Sequence, residues 1–224
     1  MDSSVSTRAV AMVSGGMDSL VSLAMARSAL DVRLILFFDY GQRARDGERV
    51  SVVNIASYYG IPLQEVGLPW LASLLPAGMR AGATGDEPLT DLDEVWIPNR
   101  NGVFVNIAAA YAESYGCDMV VTGFNRDEAA EFPDNGREYV DHANAALGLS
   151  TRNRVTVKSF TLDMGKREIL LEGMEAGAPL SAMWSCYRSG PKMCGRCASC
   201  RRLRIALDAV PVDRRPIIEF EGES

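Results

Sequence analysis

The chain has 224 residues, 47% hydrophobic and 23% charged, with a formal charge of −6. That length makes one ordinary domain that buries its apolar surface without staples, and that composition excludes a disordered or membrane-embedded chain. The acidic balance argues against an extended basic surface for tRNA or DNA and points to a small-molecule substrate.

The opening MDSSVSTRAV has no basic start followed by a long apolar core, and no run approaches the ~18 apolar residues of a spanning helix. A cytoplasmic protein with no membrane partner is the expectation. In chain order, AVAMV at 9–13 reads as a buried strand, and MDSLVSLAMARSAL at 17–30 as a helix. RLILFF at 33–38 reads as a second strand, and RDGERVSVVNIASYYG at 45–60 as a helix ending at Gly60. A third strand fits LQEVGL at 63–68, before a Pro- and Gly-rich stretch at 69–100 with weak periodicity; loops of that length are commonly functional. Beyond it come a helix at 102–116, a strand at 118–123, a helix at 137–150, a strand at 154–160, a helix at 165–177 and a short helix near 200–209.

Weakly charged strands alternating with helices predict an α/β fold, a doubly wound parallel sheet covered on both faces, with ligands at the carboxyl ends of its strands. One domain over 1–224 is expected, with 184–204 as a metal-binding segment inside it.

The stretch VSGGMDSL, Val13 to Leu20, falls at the first strand-to-helix turn. Adjacent Gly15 and Gly16 let the backbone approach an anion, the helix N-terminus adds unpaired donors, and Ser14 and Ser19 add hydroxyls, so the turn suits a phosphate. A tight turn with Asp18 and Ser19 serving the helix start is the plainer alternative. The stretch fits neither G-x-x-x-x-G-K-[ST] nor G-x-G-x-x-G.

Of five cysteines, Cys186, Cys194, Cys197 and Cys200 fall within fifteen residues as C-x7-C-x2-C-x2-C, sufficient for a closed tetrahedral zinc site. The same four thiolates can also hold an iron–sulfur cluster. Cys117 stands alone between apolar stretches and reads as a small buried residue. His142, the single histidine, reads as structural or exposed. Arg188, Lys192, Arg196, Arg201, Arg202 and Arg204 surround the cysteines, as an anion-attracting patch or a solvated basic face.

SGGMDS directly after a strand resembles the SGGxDS signature of the PP-loop ATP pyrophosphatases. With FFDYGQR, WIPNRNGVF, TGFNRDEAAEFPDN and WSCYRSGPKMCGRCASC, in this order, nearly the whole chain resembles the 7-cyano-7-deazaguanine synthase family. The resemblance implies that ATP adenylates 7-carboxy-7-deazaguanine, ammonia gives the amide, and a second activation dehydrates it to the nitrile, AMP and pyrophosphate leaving each time. It implies a homodimer holding Zn2+ on the four cysteines and Mg2+ with the ATP.

By the same resemblance Val13, Ser14, Gly15, Gly16, Met17, Asp18, Ser19 and Leu20 bind ATP together with Phe38 and Arg100. Asp18, Ser19, Arg100 and Asp127 carry catalysis, with Asp18 linked to the metal or loop geometry. The base falls to Tyr40, Gln42, Arg43, Asn101, Asn125, Phe132, Pro133 and Asp134, Phe132 stacking and Asp134 accepting from guanine-like N–H groups. Without the resemblance, FPDN reads as a turn and WIPNRN as a helix cap at Asn99 or Asn101. Many members of that family carry a histidine soon after YGQR, where Ala44 stands here, and GYPDCR where this chain has EFPDNGR. A related ligase that stops at an amide, or joins the activated acid to another amine, shares the same motifs.

Overall fold

The computed structural model describes residues 6–84, 89–90 and 94–222. Five strands form one parallel sheet: β1 (Arg8–Met12), β2 (Asp31–Asp39), β3 (Leu63–Gly67), β4 (Met119–Thr122) and β5 (Thr156–Ser159), in the order β3-β2-β1-β4-β5. β1 sits at the centre, where the order reverses, so the crevice beyond its carboxyl end is the place for a ligand.

The period-2 alternation of the strands sorts side chains to the two faces. Ala9, Ala11, Ile35 and Phe37 enter one core cluster, and Val10, Leu34, Leu36 and Phe38 the other. On the first face lie α1 (Met17–Arg27), α2 (Arg45–Tyr59), α6 (Lys166–Glu175) and α7 (Ala198–Asp208). On the second lie α3 (Arg100–Ser114) and α5 (Arg137–Ser150), while a single-turn α4 (Arg126–Ala129) follows β4. Phe37, Leu23, Ile35 and Ile169 are fully buried, each contributing about 1.5–3 kcal/mol by leaving water.

The expected elements are present with shifted ends. The first helix stops at Arg27, not 30, because the Ala29 and Leu30 amides both turn back to the Ala26 carbonyl. Gly60 ends α2 with φ 65°, a left-handed cap that suits glycine. The 69–100 stretch is more ordered than its weak periodicity suggests: 3-10 turns at Pro69–Leu74 and Ala77–Met79 bury Leu71, Leu75 and Met79, although 85–88 and 91–93 lie outside the described residues. α3 starts at Arg100, with Asn99 before it at φ 54° and making no side-chain capping bond. Asn101 lies inside the helix, buried, donating from Nδ2 to the Asp134 carbonyl at 3.3 Å. No helix among the described residues is long and apolar enough to cross a membrane.

Candidate active site

The carboxyl ends of β1, β2 and β4 open into a cavity of about 250 Å³. Its floor is the turn from β1 into α1. Gly15 takes φ +87°, and a methyl there would stand 2.8 Å from Ser51 Oγ and 2.9 Å from the Glu48 carbonyl oxygen, so α2 packs against bare backbone. Ser51 Oγ and the Trp184 amide hold the Gly15 carbonyl from behind at 3.0 and 2.8 Å. Ser19 Oγ accepts from the Ser14 amide and donates to the Gly16 carbonyl, locking the turn. α1's first backbone bond runs from Leu20 to Gly16, so the amides of Met17, Asp18 and Ser19 have no intrahelical acceptor, while the Gly16 amide donates to Ser14 Oγ at 3.3 Å. Gly123 at the end of β4 lets this turn approach closely, since a methyl there would lie 2.6 Å from the Ser19 amide nitrogen.

Three charged side chains meet beside the turn. Lys166 Nζ donates to Asp18 Oδ2 at 2.6 Å and to Glu128 Oε1 at 2.7 Å, and all three line the cavity. Burial alone would lower the lysine, but the two carboxylates hold it well above its ordinary range. Burial pushes Asp18 up despite Lys166. For Glu128 burial acts the same way, yet Lys166, with help from Arg100 and Arg202, outweighs it and leaves the carboxyl below its usual value. Asp18 Oδ1 is buried without a hydrogen-bond partner, an unused oxygen beside the phosphate-sized turn.

Across the cavity Phe38 stacks on Phe104 with centroids 4.2 Å apart, and Tyr40 tilts against the same ring. Arg100 donates to Tyr40 Oη at 3.4 Å. Glu48 joins this wall. Gln42 Nε2 donates to its Oε2 at 2.9 Å, yet burial pushes the carboxyl up to about 7. At the outer rim Trp96 and Phe132 stack 5.5 Å apart, with Asp134 beside them; burial raises the Asp134 carboxyl against the pull of Arg100.

Of the residues singled out in the sequence, Val13, Ser14, Gly16, Met17, Asp18, Ser19, Phe38, Tyr40, Arg100, Asn101, Phe132 and Asp134 border the cavity. Gly15 supports it from beneath. Leu20 is fully buried in the core, turned inward by the helical period. Gln42 is buried behind the wall, bonded to the Tyr40 amide, the Phe38 carbonyl and Glu48. Arg43 uses its backbone to hold Met79 and Ser189. Asn125 is buried as the cap of α4, accepting from the Glu128 amide. Asp127 accepts from the Lys166 amide at 2.8 Å and so caps α6, and Pro133 opens the turn behind Phe132.

Lys166, Glu128, Glu48, Trp96, Trp184 and Tyr187, which the sequence did not single out, also line the cavity, and of the basic residues around the cysteines Arg202 joins them. One signal was available for Lys166: it opens a helix directly after a parallel strand, at the ligand-binding end of the sheet. Cys117 is buried, and His142 is exposed 3.9 Å from Glu138.

The four clustered cysteines converge. Their sulfurs lie within 4.8 Å of one another, all four residues are buried, and Cys186 also borders the cavity. Amides of Arg188 and Cys194 donate to the Cys186 sulfur, and the Cys197 amide to the Cys194 sulfur, each at 3.4 Å. Donors aimed at sulfur suit thiolates. The donor set fits a soft cation.

The family described as "Queuosine biosynthesis protein QueC" matches residues 8–210. The chain belongs to the QueC family. A 7-cyano-7-deazaguanine synthase of Pelotomaculum thermopropionicum is 46% identical over 208 residues, 87% of this chain and 94% of the relative. One from Methanosarcina mazei is 37% identical over 230 residues, 96% and 99% of the two chains. Among solved structures, a 4-thiouridine synthetase–RNA complex with bound ATP matches with TM-score 0.55 at 20% identity, over 92% of this QueC-family chain and 50% of the other. The U34-tRNA thiolase NcsA from Methanococcus maripaludis with its [4Fe-4S] cluster matches with TM-score 0.53 at 16% identity, over 93% and 68%. At such identities the likeness is one of fold, and it agrees with the parallel PP-loop architecture.

Proposed function

We propose that this QueC-family chain is an ATP-dependent carbon–nitrogen ligase that converts 7-carboxy-7-deazaguanine and ammonia to 7-cyano-7-deazaguanine, releasing AMP and pyrophosphate. The observation that carries this is one cavity joining a phosphate-sized turn at Ser14–Ser19 to an aromatic wall with a carboxylate, Asp134, at its rim. A carboxylate is a poor electrophile until its oxygen joins a phosphoanhydride, so the protein's work is to orient the reactants and balance charge.

In this reading the unpaired amides at the start of α1 bind the departing pyrophosphate, with Ser14 and Ser19 shaping the turn. Asp18 Oδ1, the unused oxygen, would hold Mg2+, which supplies neutralising charge to the phosphates. Lys166 keeps Asp18 oriented while Glu128 balances the remaining charge, and Arg100 sits where the acyl phosphate develops. Phe132 and Trp96 offer the base an aromatic face, and Asp134 accepts from its guanine-like N–H groups. Tyr40 and Asn101 line the same pocket. Gln42, Arg43, Asn125, Asp127 and Pro133 act from behind, through the bonds that set these walls.

The cysteines would hold Zn2+, which supplies folding energy and no open coordination position. A tetrahedral zinc–thiolate site places its sulfurs about 3.8 Å apart, given a Zn–S length of ~2.3 Å. The four sulfurs lie within 4.8 Å of one another, a spacing that supports one ion held among them. We place the working enzyme as one domain, 1–224, with 184–204 as its zinc segment, acting as a cytoplasmic homodimer.

The test supplies 7-carboxy-7-deazaguanine, ATP and ammonia and weighs the product. A nitrile with AMP and pyrophosphate is expected. A terminal amide as the last product, or orthophosphate in place of pyrophosphate, overturns the proposal.

A further inference from the structure

α7 follows the cysteines, with Cys197 as its N-cap and Cys200 in its first turn. Two links run from the first residues of α7 to other segments. The Ala198 amide donates to the Leu89 carbonyl at 3.0 Å, tying the start of α7 to the 3-10 region, where Leu89 is buried with Met79. Arg202 NH2 contacts both oxygens of Glu131, at 2.8 and 2.5 Å, and Glu131 immediately precedes Phe132. The two side chains are 26% and 29% exposed, at the protein surface. The Glu131 and Phe132 amides in turn both donate to the Glu128 carbonyl, at 3.0 and 2.7 Å. The Phe132 side of the rim stack is therefore tied through Glu131 to α7, close behind the cysteines.

We propose that Arg202 and Glu131 form a latch through which the cysteine-bearing segment positions the base-binding rim. Both are positioning residues. One guanidinium nitrogen reaches both carboxylate oxygens, a charge-assisted contact held at two points on the acid. Glu131 stands on the turn between α4 and the 3-10 turn at Pro133–Asn135, where few other side-chain bonds restrain the chain. Freed from Arg202, that turn would let Phe132 slide on Trp96 and move Asp134, while the β1–α1 turn, held by Ser51, Trp184 and Gly123, would keep its shape. Base recognition would loosen and nucleotide binding would not.

The inference rests on the proposed use of the rim for a deazaguanine base, so the test separates the two. Arg202→Met, Glu131→Gln, the double variant and the charge exchange Arg202→Glu with Glu131→Arg are compared with wild type. Each single change is expected to raise KM for 7-carboxy-7-deazaguanine by about tenfold, and Glu131→Gln, at a position that does not line the cavity, is expected to leave kcat and the ATP KM within about twofold; the double variant should bind the acid no worse, and the exchange should recover most of that loss. Without any substrate, hydrogen exchange across 128–135 and 94–98 should quicken in both single variants, and that across 8–27 should not. Arg202→Met raising the ATP KM while Glu131→Gln is silent overturns the latch and makes Arg202 a nucleotide contact. Unchanged exchange and KM in both variants also overturn it. Wild-type protein that never adenylates the deazaguanine acid overturns the functional reading alone, because the exchange measurement still decides the latch.

Discussion

Lys166 Nζ lies 2.6 Å from Asp18 Oδ2, joining the start of α6 to the start of α1 across 148 residues of sequence. Their side chains are 15% and 17% exposed, and Glu128 completes the group. Lys166→Met would leave two carboxylates facing each other without a cation. Removing one partner of a buried ion pair typically costs about 3–5 kcal/mol. Thermal unfolding should show a clear drop in Tm, and pyrophosphate release should fall below detection. A Lys166→Met variant with wild-type Tm would show the triad to be dispensable.

The β1–α1 turn makes a second test. Gly15→Ala meets both a left-handed φ and contacts of 2.8 and 2.9 Å to α2, and Gly123→Ala meets the Ser19 amide nitrogen at 2.6 Å. Gly15→Ala forces strain of about 1–3 kcal/mol at a positive-φ site. ATP affinity, read by calorimetry, should fall in both variants more than affinity for the base. Unchanged ATP affinity in both would remove the turn from the nucleotide site.

Removing the metal tests the cysteine segment. Cys197→Ser should lower the metal content per chain and lower Tm, because ligand binding in such a site is folding energy. Treatment with a strong chelator should do the same to wild type and leave Cys197→Ser nearly unmoved. Elemental analysis decides the ion: about one zinc per chain is expected for a four-thiolate site, and iron with acid-labile sulfide would reverse that assignment.

Glu48 predicts a pH dependence. Below the ordinary glutamate value of 4.5 both folded and unfolded chains carry the proton, so this group adds no pH dependence to stability there. As pH rises past 4.5 the unfolded chain releases its proton, while the folded one keeps it until about 7. Stability therefore declines across that window and levels off above it. Glu48→Gln should erase this component, so denaturant midpoints of wild type and variant diverge between those two pH values in favour of the variant. A gap that narrows as pH rises would contradict the assignment.

Much of this was legible in the residues. The central strands β1, β2 and β4 read as short apolar runs because the sheet is covered on both faces there, whereas the edge strands β3 and β5 carry exposed polar residues and stood out by their place between helices. The turn and the cysteines were legible because glycine and thiolate chemistry is local in sequence. The carboxylates were harder. Asp127 and Glu128 are adjacent on a single-turn helix, so one residue decides which side chain caps α6 and which enters the cavity. Lys166 is one lysine in a helix start, and its meaning comes from partners 148 and 38 positions away. Glu48 and Trp184 likewise acquire a role where α2 and the C-terminal segment meet the Gly15 turn, a meeting that periodicity does not encode.

The cavity draws its lining from Met12 through Leu203, in pieces carried by nearly every layer of the sheet. A nascent chain still on the ribosome would therefore expose Asp18 and Glu128 with no ammonium between them until α6 had emerged, and would lack its rim brace until the last helix followed. Binding competence is thus an all-or-none property of finished synthesis, and no N-terminal fragment should inherit a weakened version of it.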